Sequence, residues 1–217
     1  MDDCPALRPL LIVFGAGGHG RVAADAALRS GAFARVVASD RNPATWDGEL
    51  LPGVPVLPPQ ALAALPQPRA VHVAIGDNTA RREEAARLTA LGPLASIQHP
   101  LASVAASARV GPGCLLAAQS VVAPMAELGV GVIVNHGAVV DHDCRVADWV
   151  HIAPGARLGG AVQVGEAALV GAGSTVLRDL RVGAAATLGA GAVLLHDLPD
   201  GESWAGVPAR LLRGVSA

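Results

Sequence analysis

The sequence predicts an α/β N-terminal unit with a small Rossmann-like parallel sheet, followed by a parallel β-helix. Two observations carry that prediction. First, from Val104 to Leu194 every sixth residue is Val, Leu or Ile: Val104, Val110, Leu116, Val122, Leu128, Val134 and so on through Val182, Leu188 and Leu194. The fifth residue of each hexad is mostly small, as at Cys114, Ala126, Ala138, Cys144, Ala156, Ser174 and Ala192. A period of six suits neither a 3.6-residue helix nor an alternating strand. It suits short strands that turn a corner every six residues, with three hexads to a coil. Second, the apolar run Leu10 to Phe14 leads directly into the glycine-rich run Gly15-Ala16-Gly17-Gly18-His19-Gly20. A strand running into such a loop is the usual opening of a doubly wound sheet.

The elements of the first unit follow in order. Arg21 to Ser30 reads as a helix stopped by Gly31, and Ala34 to Asp40 as a second strand ending on an acid. A Pro- and Gly-rich stretch runs through Leu51 to Val56, and Gln60 to Leu65 reads as a short helix. Ala70 to Gly76 is another buried strand, and Asp77-Asn78-Thr79 can cap a helix over Ala80 to Leu91 that Gly92-Pro93 terminates. This β-α-β order implies a short parallel sheet. The expected units are residues 1–100 for nucleotide-sugar binding, 104–196 for the β-helix and 197–217 for a C-terminal cap. In the coil, each turn hides its aliphatic edge on its neighbours.

Composition excludes several function classes. All sixteen basic residues are Arg, and the net charge of −2 gives no general attraction to nucleic acid or to an anionic membrane. No apolar run approaches the roughly 20 residues that span a bilayer, and the N-terminus shows no signal-peptide pattern, so the expected location is cytoplasmic. Three scattered cysteines make neither a disulfide framework nor a zinc spacing. Cys114 and Cys144 fall on the small inward position of their hexads, so packing accounts for them.

Two motifs carry chemistry. Gly15-x-Gly17-x-x-Gly20 follows a strand and opens a helix, with Asp40 twenty residues beyond Gly20. Glycines admit a phosphate close to the backbone, and the helix N-terminus offers unpaired N–H groups. A unit ending near residue 100 is small for a dinucleotide, so one nucleotide diphosphate is the better fit. Asp40 and Arg41 would then meet the ribose or base, with Gly76, Asp77 and Asn78 lining the crevice. A tight turn with no ligand is the bland alternative. The second motif is Asp141-His142-Asp143, at an outward corner of an apolar, Ala-rich repeat. A carboxylate beside an imidazole fixes its tautomer and stabilises the imidazolium while the ring accepts a proton. A solvated, charged corner is the alternative there. His136, His142 and His151 are six and nine residues apart, whereas side chains stack at multiples of eighteen, so no metal is expected. His72, in an apolar strand, reads as core.

With these residues in place, the chain resembles the sialic-acid O-acetyltransferase-like family of hexapeptide-repeat acyltransferases. Within it, the chain is most similar to the N-acetyltransferases of nucleotide-linked amino-dideoxy sugars of the bacillosamine and perosamine type. The likeness rests on the Gly15 to Gly20 loop with His19, the segment Ala74 to Asn78, and the junction His99-Pro100. It continues through Asn135, Asp141 to Cys144, His151 and Gly206-Val207-Pro208-Ala209-Arg210. The resemblance implies a left-handed β-helix, a homotrimer, acetyl-CoA as cosubstrate in the groove between β-helices, and a nucleotide-diphosphate sugar on the N-terminal unit. It implies His142 as general base oriented by Asp143, where relatives often carry Glu. It implies His151 against the acetyl or pantetheine portion, and Gly160 and Ala172 along the pantetheine path. Gly15, Gly17, Gly18, His19, Gly20, Asp40, Arg41, Gly76, Asn78 and Asn135 form the implied substrate-binding set. The function so implied is acetyl transfer to the amino group of a nucleotide-linked sugar in bacterial surface-glycan synthesis, by direct attack. Sugar O-acetylation, a zinc-dependent β-helix hydratase and a non-catalytic nucleotide sensor stay open as alternatives.

Overall fold

A computed structural model describes residues 8–212. Residues 1–7 and 213–217, which include Cys4 and the outer ends of the expected first unit and cap, lie outside the described residues. The first unit is a five-stranded sheet built from β1 (Leu10–Phe14), β2 (Arg35–Ser39), β3 (Glu49–Leu51), β4 (Val54–Leu57) and β5 (Arg69–Val73). The spatial order is β3-β4-β2-β1-β5. All pairings are parallel except β3 with β4, which form an antiparallel hairpin at the edge. That hairpin occupies the Pro- and Gly-rich stretch, to which the sequence pattern assigns no element. Gly53, at φ 80, makes its turn in the left-handed region where glycine is favoured.

Helix α1 spans Gly18–Ser30 and so begins three residues earlier than its apolar pattern suggests, inside the glycine run. It ends on Gly31 in the left-handed conformation. Helix α2 spans Asn78–Leu88, capped by the Asp77 carboxylate, which accepts from the Ala80 N–H at 2.7 Å. The two helices cover opposite faces of the sheet. Ala23, Ala24 and Ala27 of α1 pack with Leu11 and Val13, while Ala85 and Leu88 of α2 pack with Ile12, Val71 and Val73.

The rest is a left-handed β-helix of two-residue strands in three parallel sheets. One sheet runs Ser103–Val104, Val121–Val122, Val139–Val140 and on to Val193–Leu194. The second carries Arg109, Glu127, Arg145, Gln163 and Arg181 on its outer side. The third begins earlier than the beat of six suggests, at Ile97–Gln98, and faces the first unit. From Ile97 to Leu194, ladder partners are eighteen residues apart, so the beat residues stack into one core. Leu116 to Leu194 are each 5% exposed or less at these positions, whereas Val110, on the first strand of its sheet, is 36% exposed. Burying each such side chain stabilises the fold by roughly 1.5–3 kcal/mol.

A second beat sets the corners. Every sixth residue from Gly113 to Gly191 has positive φ, including Gln119, Met125, Asp143, Trp149, Ala161, Ala167, Asp179 and Ala185. At the C-terminal end the spacing falls from eighteen to sixteen: Val182 pairs with Leu198, and Leu188 with Trp204. Arg210–Leu211 then folds back antiparallel on Ser203–Ala205 and closes that end.

The first unit docks on the third sheet. Ile97, Leu115 and Ile133 point out of the coil into the core formed by α1 and the sheet. The same outward column continues one coil further with His151, which pairs in register with Ile133. The column therefore changes from aliphatic to imidazole at the rim of the docked unit.

Candidate active site

The structure divides the predicted residues into three groups. The first is the corner between the first and second sheets. Asp143 takes the left-handed conformation there, φ 59, which Asp tolerates better than most side chains. Turning at that residue brings its Oδ2 to 2.7 Å from Nδ1 of His142. Asp141 accepts from the His142 backbone N–H at 2.7 Å and fixes the same turn. The imidazole pKa is raised, first by the hydrogen bond to Asp143 and then by the charge of Asp141. The short Asp143 side chain thus reaches the ring. Asp141, His142 and Asp143 share a groove of about 570 Å³ with Gly159, Gly160, Ala161, Arg178 and Asp179. Gly160 lies one coil on from His142, in register with it, and the His142 ring packs against its Cα.

The second group lies at the junction of the two units. His19, on the glycine loop, and His151, on the coil, have ring centroids 6.1 Å apart. Nε2 of His151 lies 3.2 Å from Nδ2 of Asn135, whose Oδ1 accepts from the His136 N–H. With the amide donating, Nε2 of His151 is the acceptor and the proton resides on Nδ1. Burial holds His19 at about 3, with charges on His72, His151, Arg81 and His136 adding to the effect. Burial also holds His151 at about 4 and His72 at about 4. His72 is core, 1% exposed, with Nδ1 3.0 Å from the Ala95 carbonyl oxygen. Nε2 of both His19 and His72 is buried without a hydrogen-bond partner among the described residues.

The third group surrounds the C-terminal ends of β1, β2 and β5, where the chain order reverses across β1 and open α/β sheets bind ligands. Gly15 and Gly20 are glycines for internal reasons. A Cβ on Gly15 would lie 2.6 Å from the Ala74 carbonyl oxygen, and one on Gly20 would run into the Gly15 carbonyl. Gly17, Gly18 and Gly76 instead face open space, with nothing within 4 Å of a built Cβ. Those three can therefore accept a close-lying ligand. Asp40 accepts from the Ala16 N–H at 2.7 Å and from the Asn42 N–H at 2.8 Å, so it braces the glycine loop. Arg41 pairs with the buried Glu84. Both still line a pocket of about 280 Å³ with Phe14, Gly15, Ile75 and Glu83.

Asn78 behaves differently from its expected crevice-lining role. Its Nδ2 donates to the carbonyls of Ala167 and Ala168, at 2.8 and 3.0 Å, and its Oδ1 accepts from Arg81 at 2.8 Å. The side chain ties α2 to the coil. Arg81 itself escaped the sequence reading. It is 1% exposed and donates to the carbonyls of Gly131, Ile75, Gly76 and Trp149 at 2.7–3.2 Å. Carbonyl dipoles solvate its charge, and burial lowers its pKa to about 10, which leaves it cationic. Arg81 fixes the Ile75-Gly76 strand end against the coil. The only sequence signal was an arginine on the face of α2 that also carries Ala85 and Leu88.

The remaining residues fall elsewhere. Ala172 is exposed at the corner column that also holds His136, away from the His142 column. Among the described residues no group of three His, Cys, Asp or Glu is placed to hold a metal ion. Cys114 and Cys144 donate to the Gly129 and Gly159 carbonyls, at 3.1 and 3.2 Å, and burial pushes both thiols up to about 11. Neither is an activated nucleophile. Among the described residues no helix is long and apolar enough to cross a membrane.

With this geometry in hand, the likeness to known proteins is specific. Residues 10–88 match the PglD N-terminal domain. No curated protein matches the chain. Among solved structures, the acetyltransferase domain of PglB from Neisseria gonorrhoeae, in complex with acetyl coenzyme A, is 39% identical. That match covers 94% of this chain and 100% of that one, with a TM-score of 0.89. A histidine-to-alanine variant of GDP-perosamine N-acetyltransferase from Caulobacter crescentus, in complex with CoA and GDP-perosamine, is 35% identical over 93% of this chain and 96% of that one, TM-score 0.86. WeeI from Acinetobacter baumannii is 26% identical over 94% and 99%, TM-score 0.81. Both units and their junction are matched together, and the chain belongs to the hexapeptide-repeat acetyltransferase family that includes PglB and GDP-perosamine N-acetyltransferase.

Proposed function

We propose that the protein transfers acetyl from acetyl-CoA to the amino group of a nucleotide-linked amino-deoxy sugar. The observation that carries the reading is the His142–Asp143 pair, an exposed and basic imidazole at the rim of an open groove, in a chain matched end to end by acetyltransferases of this kind. His142 takes the proton that the sugar amine loses as it attacks the thioester carbonyl. Asp143 holds the tautomer with Nε2 free for that proton and stabilises the imidazolium that results. Attack is direct, since neither described cysteine is activated. His151 is neutral and half-buried, suited to positioning the acetyl or pantetheine portion rather than to moving a proton, and Ala172 borders the path of that cofactor.

The unit within 1–100 would hold the nucleotide sugar over Gly17, Gly18 and Gly76, with His19 and Asn135 nearest the sugar and Asp40 and Arg41 toward the nucleotide. The coil, within 104–196, would hold acetyl-CoA, with the cap from residue 197 onward closing its end. The groove at His142 is open on one side, which suits a site completed by a second copy in a cytoplasmic homotrimer. Light scattering would give three times the chain mass.

The test is an acetyl-CoA thiol-release assay against UDP- and GDP-linked amino sugars and their hydroxyl counterparts. Release with an amino sugar, abolished in H142A, supports the reading. Release only with a hydroxyl acceptor, or with none, overturns it.

A further inference from the structure

Gly160 is a glycine for no backbone reason. It lies outside the residues of positive φ, and the corresponding corner positions one coil below and above are His142 and Arg178. What excludes a side chain is the His142 ring. A Cβ on Gly160 would stand 2.5 Å from Cε1, 2.5 Å from Nε2 and 3.2 Å from Nδ1 of that imidazole, and these are its three nearest contacts. Gly160 is buried while His142 is exposed, so the ring is what covers it. Adding one carbon would displace the exposed His142 ring, not the backbone.

We propose that Gly160 is a positioning residue for His142: the empty place above its Cα is the seat that lets the ring reach Asp143 through Nδ1 while Nε2 faces the groove. This role is separate from the expected place of Gly160 along the pantetheine path, since Gly160 also lines the groove. Its kinetic consequence rests on His142 acting as the base, but the seating itself does not. Catalytic geometry is sensitive to shifts of this size, and a displacement of about 1 Å can lower a rate roughly 100-fold.

The groups facing the ring are Asp141 and Asp143, which raise its pKa, and Arg178, which opposes them, with Asp179 beside Arg178. The experiment is an NMR titration of the His142 imidazole in the wild type and G160A, assigned by the resonance missing in H142A. In G160A the ring leaves Asp143 and its midpoint falls toward the ordinary histidine value; an unchanged midpoint overturns the proposal. This arm needs no substrate, so it stands even if the acetyltransferase assay fails. In the kinetic arm, G160A lowers kcat about 10- to 100-fold with KM for acetyl-CoA within about twofold. G160A then adds nothing in the H142A background. A raised KM for acetyl-CoA in both backgrounds would instead give Gly160 a cofactor-lining role and overturn the seating. Any melting temperature lost in G160A returns in H142A/G160A, because the ring that the new methyl meets is gone.

Discussion

His142 and His151 lie nine residues apart on one coil, and their surroundings drive them in opposite directions. His142 stands at a corner, side chain 59% exposed, with a carboxylate on Nδ1 that raises its pKa. His151 stands on a flat face under the docked α/β unit, where burial holds it at about 4. The coil is the same; what differs is which element each position meets. A corner leaves the side chain in water and brings the next residue's carboxylate back to it. A face position aligned with Ile133 inherits the apolar environment of that column. One imidazole is thus suited to take protons near neutrality and the other to remain neutral throughout.

The largest expected effect separates the two by chemistry. H142A should lower kcat by about 100- to 10,000-fold, the usual contribution of a general base, with little change in melting temperature because the side chain is exposed. His151→Gln retains a neutral hydrogen-bonding group beside Asn135, so it should act chiefly on KM for acetyl-CoA. Steady-state kinetics with both substrates varied would show it. Equal losses of kcat in the two variants would erase the distinction.

Much of this contrast was legible in the chain, and the limits have physical causes. The beat of aliphatic residues gave the coil, its core and the inward place of both coil cysteines, because burial enforces residue type at every sixth position. The corner beat stayed hidden, since the left-handed position is filled by glycine only in some hexads and elsewhere by Gln119, Met125, Asp143 or Ala185. His142 and Asp143 could be paired from adjacency alone. Contacts across units could not. Arg81 reaching Gly131 and Trp149, and Asn78 reaching Ala167, depend on docking, which no local pattern encodes. The early start at Ile97 was missed because Gln98 occupies the beat position there.

The next effect belongs to the buried side of the comparison. His19, His72 and His151 have folded-state pKa values near 3, 4 and 4, below the unfolded value of about 6.5. The unfolded chain therefore binds more protons between those limits. Their contribution to stability is complete above about pH 6.5 and is lost as pH falls toward about 4. For His72 alone that amounts to on the order of 3 kcal/mol. Calorimetric melting from pH 7.5 to 4.5 should show a steep fall, less steep in His72→Phe. A flat profile would mean the junction histidines are solvated.

On the exposed side, Asp143→Asn tests the carboxylate without disturbing the corner, because Asn also accepts the left-handed conformation. Turnover should fall by roughly 1–2 kcal/mol of transition-state stabilisation. Removing the first cause of the raised pKa should also shift the rising limb of kcat/KM to lower pH. If the limb stays in place, the ionisation it reports is not that of His142.

The smallest effect asks whether a left-handed corner matters apart from the acid it carries. Ala185 occupies the same kind of corner at φ 52, far from the His142 column and with no polar side chain to use the turn. An L-residue there costs roughly 1–2 kcal/mol that glycine avoids. Glycine in turn raises the entropy lost on folding by roughly 0.5–1 kcal/mol. The first term is the larger, and the balance favours Ala185→Gly by roughly 0.5–1 kcal/mol, visible as a small rise in melting temperature. Asp143→Gly would relieve a smaller backbone strain, because Asp tolerates the left-handed region better than Ala, while deleting the carboxylate. Its melting temperature should change in the same direction as that of Ala185→Gly but by less, and its turnover should follow that of Asp143→Asn. If both variants instead lost stability together, the corners would be held by their side chains rather than by the coil.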